Sequence, residues 1–206
     1  MAAGTKANVT TGKRGVNGGI YWAPAGTTLP TDATTTLASA FKTVGFVGED
    51  GVTNSKSRET MEIKEWGGET VMSEVTSQSE TYKWKSIEYL NTDTLKAVYG
   101  EGNVTVSSGA VTILVKAGTY GKGVWCIDTA VNGGRLQRIV IPNGVITEIG
   151  DIVYVGNDAT AFDITLACDY DETLGGTSKI YISATPSALG ALCQKRGQRL
   201  NIRFFL

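Results

Sequence analysis

The chain has 206 residues, which is enough for one domain with a sizeable core. It contains no histidine, which excludes Ser-His-Asp and Cys-His catalytic groups and makes an enzyme a less favoured class. Its 3 cysteines are far apart and odd in number, which argues against a disulfide framework. No apolar run approaches the roughly 18–20 residues of a membrane span, and the N-terminal segment lacks the apolar core of a secretory signal. We therefore expect a protein of cytoplasmic origin.

Charge is distributed unevenly along the chain. All 20 acidic residues lie between Asp32 and Glu172. In the segments before and after these residues, every charged side chain is basic. A body of one sign with ends of the other can join copies of itself head to tail, although basic ends can equally be solvated tails. The basic residues of the two ends are Lys6, Lys13, Arg14, Lys179, Lys195, Arg196, Arg199 and Arg203.

The first third of the chain predicts short strands between polar segments. Residues 1–19 are rich in Gly, Thr and Lys without periodicity and predict a flexible arm. Bulky apolar residues at 20–22 predict the first strand, and residues 41–47 predict another short one. Residues 49–58 are polar, punctuated by glycine and almost free of large apolar side chains. They predict a loop that is either mobile or completed by another chain.

A longer extended region follows this predicted loop. Residues 59–66 alternate, with Met61 and Ile63 on one face and Glu62 and Lys64 on the other, which predicts a half-buried strand. Gly67-Gly68 predicts a turn, and residues 71–86 predict a long strand that is polar on both faces over its first half. Such a strand is a solvent-exposed hairpin, a wall of a water-filled channel, or an edge that awaits a partner.

The rest of the chain predicts one helix and then strands. Asn91 to Gly100 has a capping residue, an apolar face and a terminal glycine, as a short helix requires. Asn143-Gly144 predicts a hairpin turn between strands at 136–142 and 145–155. Residues 161–168 alternate as a half-buried strand, Ile180 and Ile182 mark another, and Pro186 predicts the start of a short helix. The apolar end, residues 199–206, is expected to return to the sheet or to contact a neighbour.

These elements predict a mainly β protein, an antiparallel β-sandwich or barrel with one flanking helix. The expected organisation is a flexible arm at 1–19, a β domain at 20–184 and a C-terminal extension at 185–206. No cofactor and no metal is predicted.

One short motif favours an enzyme. Asp169, Asp171 and Thr173 have the DxDxT form of haloacid-dehalogenase-type phosphatases, in which the first Asp is a nucleophile beside Mg²⁺. In that family the motif follows the first strand of an α/β fold, whereas here it lies near the end of a chain of strands. Asp169, Asp171 and Glu172 could also hold Ca²⁺ weakly, without the spacing of an EF-hand. The motif is therefore interpreted as a polar turn after a strand.

A succession of segments carries a family resemblance. FKTVGFVGEDGVT, EIKEWGGETV, SETYKWKSIEYLNTDTLKAVYG and LQRIVIPNGVITEIGDIVY follow one another between Gly19 and Cys168. In this order they resemble the major tail (tail tube) proteins of long non-contractile-tailed bacteriophages. The resemblance implies a non-enzymatic virion protein that forms hexameric rings, stacked into a hollow tube through which DNA leaves the capsid without specific binding. It implies contacts with tape-measure, tail terminator and distal tail or baseplate proteins, and assembly in the bacterial host cytoplasm, with no membrane insertion.

The resemblance also gives candidate residues. An acidic lumen would repel phosphates, and the candidates for it are Glu62, Glu74, Gln78, Glu80 and Asp163. The alternative is a non-polymerising β-sandwich binding module on a virion or cell surface. Candidates for contacts between rings are Glu49, Asp50, Lys56, Arg58, Glu59, Trp66, Arg14, Arg199 and Arg203.

Overall fold

The computed structural model describes residues 9–14, 19–118 and 120–184. Within these ranges the protein is built from antiparallel strands and one α-helix, as predicted. Short 3₁₀ turns occupy Glu101–Asn103 and Asn132–Gly134. In chain order the elements are β1 Lys13–Arg14, β2 Ile20–Pro24, β3 Lys42–Thr43, β4 Val47–Lys64, β5 Thr70–Ser86, α1 Thr92–Tyr99, β6 Val104–Ser107, β7 Ala110–Ile113, β8 Tyr120–Val131, β9 Arg135–Ile149, β10 Phe162–Cys168 and β11 Lys179–Ile182.

Most of the described strands belong to one sheet, in the order β3-β2-β8-β9-β10-β5-β4. The strands at its two ends, β3 and β4, are separated in sequence only by residues 44–46, which we call the closing segment. The Val44 amide donates to Ile20 of β2, and the Ile87 amide after β5 donates to Phe46. Because one short segment bonds to both ends of the sheet, the sheet curls back on itself and encloses a core.

The core lies inside this curl. Trp84 on β5 and Trp125 on β8 have ring centroids 5.5 Å apart, although β9 and β10 lie between their strands in the sheet. Neighbouring strands are about 4.8 Å apart, so only a strongly folded sheet brings these two rings into contact. Alternate residues of β10, Phe162, Ile164 and Leu166, are fully buried against the same core, as their pattern predicts.

A smaller apolar cluster covers the opposite side of β2 and β8. Phe41 and Leu37, in the segment between β2 and β3, pack there against Cys126 and Val140. Arg138 fixes this segment, since its guanidinium makes a bidentate pair with Asp128 and donates to two carbonyls of the loop. The segment thereby seals one face of the sheet.

The predicted helix is confirmed as α1. The Asn91 side chain accepts from the amides of Asp93 and Thr94, which caps the first turn. Leu95 and Val98 enter the core, and the helix begins beside the closing segment. There, Val44 O accepts hydrogen bonds from two buried hydroxyls, Ser86 Oγ at 3.0 Å and Thr94 Oγ1 at 2.8 Å.

The prediction of a loop at residues 49–58 is wrong. These residues form the first half of β4, with a bulge between Val47 and Val52, and they pair with β5 of the same chain. The polar composition misled the interpretation because cross-strand hydrogen bonds, rather than a hydrophobic core, hold the segment extended. Residues 59–66 are a strand as predicted as far as Lys64, but Met61 and Ile63 are exposed, so the strand is not half-buried in the single chain.

The predicted hairpin at Asn143-Gly144 is also wrong, because β9 runs straight through both residues. A β-carbon on Gly144 would lie 2.4 Å from the Trp125 ring, so glycine is needed there for close packing. The Asn143 side chain donates to Asp171 instead of forming a turn. The strands that flank β9 join it through the 3₁₀ turn at 132–134 and the loop at 150–161.

Other predictions fall partly within the described residues. Lys13 and Arg14, in the predicted flexible arm, pair with Ala130 and Thr129 of β8. The strand at Ile180 and Ile182 is confirmed as β11. The predicted helix at Pro186 and the apolar C-terminal end lie outside the described residues. None of the described helices has the length and apolar character needed to cross a bilayer.

Removing the hydroxyls that reach Val44 O is expected to loosen the closing segment. Thr94→Val keeps the shape of the side chain and should lower the free energy of unfolding by about 1 kcal/mol, because Ser86 still donates. Combining it with Ser86→Ala leaves the buried carbonyl without either side-chain donor, so the double variant should lose more than the sum of the single losses.

Urea unfolding of the single and double variants measures this coupling. Thr105→Val on the exposed face of β6 is the matched control and should leave stability within about 0.5 kcal/mol of the native value. Additive losses in the double variant would contradict the shared role of the two hydroxyls.

Candidate assembly surface

The long hairpin of β4 and β5 extends well beyond the core. Residues 53–79 are exposed at every position. In the turn, the Glu65 amide donates to Glu69 O and the Gly68 amide donates to Glu65 O. We call residues 55–79 the distal half. At ~3.3 Å per residue the distal half reaches roughly 30 Å from the core. Within the described residues, its strands pair only with each other, so both of its edges are open.

The end of the hairpin carries exposed apolar side chains. Trp66 in the turn is fully exposed, and Val71 is 64% exposed. A monomeric protein rarely leaves several large apolar groups together in water, and aromatic residues are enriched where proteins meet. This concentration marks the end of the hairpin as a contact surface. The exposed apolar residues there are Met61, Ile63, Trp66, Val71, Met72 and Val75.

The register assigns two faces to the hairpin. The core-side face continues the row of buried Tyr82 and Trp84, and it carries Gln78 opposite Arg58. The solvent-side face continues the row of Lys83 and Thr81. A bulge at Thr76, whose hydroxyl donates to Glu59 O, shifts the alternation of β5 by one residue.

The predicted lumen residues do not all lie on one face. Glu62 shares the core-side face with Gln78, whereas Glu74 lies on the solvent-side face opposite Met61. Asp163 on β10 lies on the solvent-side face opposite Lys85. A sequence pattern could not reveal this division, because the bulge at Thr76 changes which parity faces the core.

The solvent-side face is apolar near the hairpin end, where it carries Met61, Ile63 and Met72, and becomes polar toward the body. On β10 and β9 it carries Asp163, Thr165 and Glu148, which are exposed or partly exposed. Thr165 donates to Glu148 across the strands. Along this surface five carboxylates accompany two lysines, so its balance is acidic. They are Asp50, Glu59, Glu74, Glu148, Asp163, Lys83 and Lys85.

Glu80 lies at the base of the distal half and is only 5% exposed. Its carboxylate accepts from Asn54 and Tyr82, each at 2.9 Å, and lies 3.2 Å from Lys56 Nζ. Its second oxygen accepts from Thr177 at 2.6 Å and Ser178 at 2.9 Å. We call these six residues the Glu80 cluster. In the single chain, Glu80 is thus turned into the protein rather than toward solvent.

Hydrogen bonding keeps this carboxylate ionised. Burial raises the pKa of Glu80, but hydrogen bonds from Thr177, Asn54, Ser178 and Tyr82 outweigh burial and lower the pKa to about 2. Burial, with the charge of Glu80 beside it, raises the pKa of the Tyr82 phenol, which therefore stays a hydrogen-bond donor. In the Glu80 cluster, hydrogen-bond donors surround both oxygens of an ionised carboxylate.

Two predicted interface residues line one groove and a third lines another. Glu49 and Arg14 line a groove of about 690 Å³ between β1, β2 and the start of β4. Asp50 lines a separate groove on the solvent-side face, with Lys83 and Asp163. The Arg14 guanidinium lies 5.0 Å from the Phe46 ring centroid. The first groove is otherwise largely apolar, with Ile20, Val47, Val52, Ile87 and Ile127 in its lining.

The other interface candidates are placed as follows. Arg58 and Glu59 are exposed on the distal half, and Trp66 forms its end. Lys56 forms an ion pair with Glu80 of the same chain, so its charge is already paired within the subunit. Arg199 and Arg203 lie outside the described residues.

The DxDxT motif forms a compact turn. The Asp171 carboxylate accepts from the Leu174 amide at 2.7 Å and from Asn143 Nδ2 at 2.9 Å, and its backbone pairs with Gly176. Both oxygens of Asp171 therefore have structural partners. In the described part of the chain, no three His, Cys, Asp or Glu side chains gather as a metal site would require.

Two of the three cysteines lie within the described residues. Cys126 and Cys168 are buried free thiols, and burial is the main cause that raises the pKa of each to about 12. Both thiols therefore remain protonated and unreactive near neutral pH.

Acid is expected to weaken the Glu80 cluster. The folded-state pKa lies below the ordinary value of 4.5, so the ionised carboxylate stabilises the fold at higher pH and this contribution is lost between about pH 4.5 and pH 2. Glu80→Gln should lower the free energy of unfolding at pH 6 by about 2 kcal/mol and make stability less dependent on pH below 4.5.

Urea titrations at a series of pH values measure this dependence. Glu62→Gln, an exposed carboxylate on the same face of the hairpin, is the control and should keep the native pH profile. An unchanged acid profile in Glu80→Gln would show that other carboxylates dominate.

Comparison with known proteins identifies the family. A search of curated proteins finds no match to this chain. A family model described as phage tail tube protein matches residues 3–182, which includes the whole hairpin, the closing segment and the Glu80 cluster. Members are structural virion components, not enzymes, and they self-assemble into the tail tube. Because the match covers most of its length, the chain belongs to the phage tail tube protein family.

Proposed function

We propose that the protein polymerises as stacked rings of six subunits into a hollow tail tube, and that DNA passes through its lumen into the host. The observation that carries this proposal is the long hairpin, whose open edges and apolar end have no partner within the described part of the subunit. Edges of this kind are satisfied when strands of neighbouring copies join in a closed arrangement. A second copy is the natural partner because the family self-assembles.

The hairpin supplies the contacts between subunits in this proposal. The open edges of the distal half pair with neighbouring copies, and the apolar end around Trp66 packs against the next ring. Glu49 and Arg14, at the groove beside the base of the hairpin, and Asp50, in the neighbouring groove, serve as further contacts between rings. The terminal segments 1–19 and 185–206, with Arg199 and Arg203, flank the β domain at 20–184 in this proposal, and their basic side chains meet the acidic body of a neighbour.

The solvent-side face is the wall of the lumen in this proposal. On the body, the sheet face that packs on the core cannot meet water, so we take the opposite face, continued along the hairpin, as the lining of the channel. That face carries Glu74 and Asp163 from the predicted lumen residues, whereas Glu62 and Gln78 lie on the other side of the hairpin. Carboxylates that outnumber lysines repel phosphates, so DNA slides without binding.

Further partners follow from a tube that has two ends and a filled lumen. We include a tape-measure protein within the lumen, a tail terminator at one end and distal tail or baseplate proteins at the other. Assembly takes place in the host cytoplasm. The alternative of a non-polymerising binding module on a virion or cell surface accounts less well for open edges in a family that self-assembles.

Trp66→Ala is expected to impair assembly without harming the subunit. Trp66 is fully exposed in the single chain, so its removal should leave the thermal unfolding midpoint unchanged. Loss of a buried aromatic contact at each interface should raise the concentration needed for tube formation at least about tenfold. Sedimentation and negative-stain microscopy of the concentrated protein measure tube formation.

Trp66→Phe is the matched control, because it keeps an aromatic ring and should restore most of the assembly. Hollow tubes from the native protein are expected. Native protein that stays monomeric when concentrated, or a Trp66→Ala variant that assembles normally, would count against the role of the hairpin end.

Labelling of cysteines should distinguish the two sides of the wall. Both variants are made in a Cys193→Ser background. Asp163→Cys places a thiol on the solvent-side face, whereas Thr28→Cys places one in the exposed loop that follows β2. In assembled tubes, a polymer-linked maleimide should label Thr28→Cys and fail to reach Asp163→Cys, while a small maleimide should label both. Equal labelling of both by the polymer reagent would place Asp163 outside the lumen.

A further inference from the structure

The Glu80 cluster lies where the hairpin leaves the body. Every residue of β5 from 70 to 79 is exposed, and Glu80 is the first buried one. Beyond it, Thr81 to Ser86 pair on both sides, with β4 and with β10. Glu80 therefore marks the boundary between the supported and the unsupported parts of the hairpin.

The donors to Glu80 come from three parts of the chain. Lys56 lies on the distal half of β4, whereas Asn54 and Tyr82 lie at its base, where Tyr82 is buried in the core and pairs with β10. Thr177 and Ser178 lie in the segment before β11, which belongs to the body. Glu80 thus connects the first residues of the distal half to the core through one carboxylate oxygen and to the segment before β11 through the other.

The body side of this connection is itself held in place. Thr177 and Ser178 follow the turn that Asp171 closes, and Asn143 of β9 donates to Asp171. Directly after Ser178, β11 pairs with β9 from Val140 to Gln137. Hydrogen bonds therefore run from β9 through the turn to Glu80. A two-stranded ribbon bends readily, so such a connection at its base controls its direction.

We propose that Glu80 is a positioning residue that fixes the direction in which the hairpin leaves the body, with Thr177 and Ser178 as its partners on the body. In the assembled tube this direction sets the angle between neighbouring subunits, a consequence that rests on the proposed function. A subunit without the connection samples many hairpin directions and must lose that freedom when it assembles.

The direction of the hairpin can be measured in the monomer. Spin labels at Glu69→Cys near the hairpin end and Thr105→Cys on β6 report the distance from the hairpin to the body. The background is Cys193→Ser, since Cys126 and Cys168 are buried. Pulsed electron spin resonance below the assembly concentration should give a narrow distribution for the native cluster and a clearly broader one for Thr177→Val combined with Ser178→Ala.

This double variant leaves Glu80 with its partners Asn54, Lys56 and Tyr82, so the subunit should still fold. Thr173→Val, an exposed threonine of the same turn, is the matched control and should keep the narrow distribution. Glu80→Ala should broaden the distribution at least as much as the double variant. A distance distribution that stays narrow in both the folded double variant and the folded Glu80→Ala variant would overturn the proposal.

Assembly is measured separately. The double variant should need at least about a tenfold higher concentration than the Thr173→Val control to form tubes. A broadened distribution with unchanged assembly would overturn the consequence for the tube. Native protein that never forms tubes would contradict the proposed function, and the monomer distances would still decide the role of Glu80.

Discussion

The fold depends on the closing segment at residues 44–46, which joins the two ends of a single curled sheet. Its backbone bonds to β2 on one side and to the residue after β5 on the other. Gly45 adopts a positive φ of 81°, and a β-carbon there would meet the Glu88 carboxylate. The same carboxylate accepts from the Phe46 amide and from Asn91, so closure of the sheet and the start of α1 are fixed together.

Closure of the sheet places only the inner parts of β4 and β5 on the core. As far out as Tyr82 on β5 and Val52 on β4, the sheet has a core beneath it, in which Tyr82 and Trp84 are buried. Farther out, β4 and β5 hold each other by backbone pairing alone, so their side chains are free to serve contacts with other molecules. The protein is thus a rigid body that presents a long ribbon, and the Glu80 cluster lies at the junction of the two.

Sequence reasoning was reliable where side-chain burial decides structure. The helix at 92–99 and the strand at 162–168 follow from capping and alternation, and both were predicted. It failed where distant residues decide. The polar strand at 49–58 depends on pairing with β5. At Asn143-Gly144, the Trp125 ring packs against the glycine and the asparagine side chain donates to Asp171, so the two residues do not form a turn. Glu80 looked like one more exposed carboxylate because Thr177 and Ser178, almost a hundred positions away, cannot be paired with it from sequence.

The open edges of the distal half also bear on the life of the free subunit. Within the described residues, no strand covers either edge, and an uncovered ribbon can template amyloid-like stacking. Serines such as Ser77 and Ser79 and charged residues such as Glu59 and Glu74 lie along it, and charged side chains act as gatekeepers against irregular aggregation. The polar side chains of this ribbon therefore limit aggregation of the free subunit before it assembles. Apolar substitutions there should lower the yield of soluble protein in the cell even where they do not change the assembled particle.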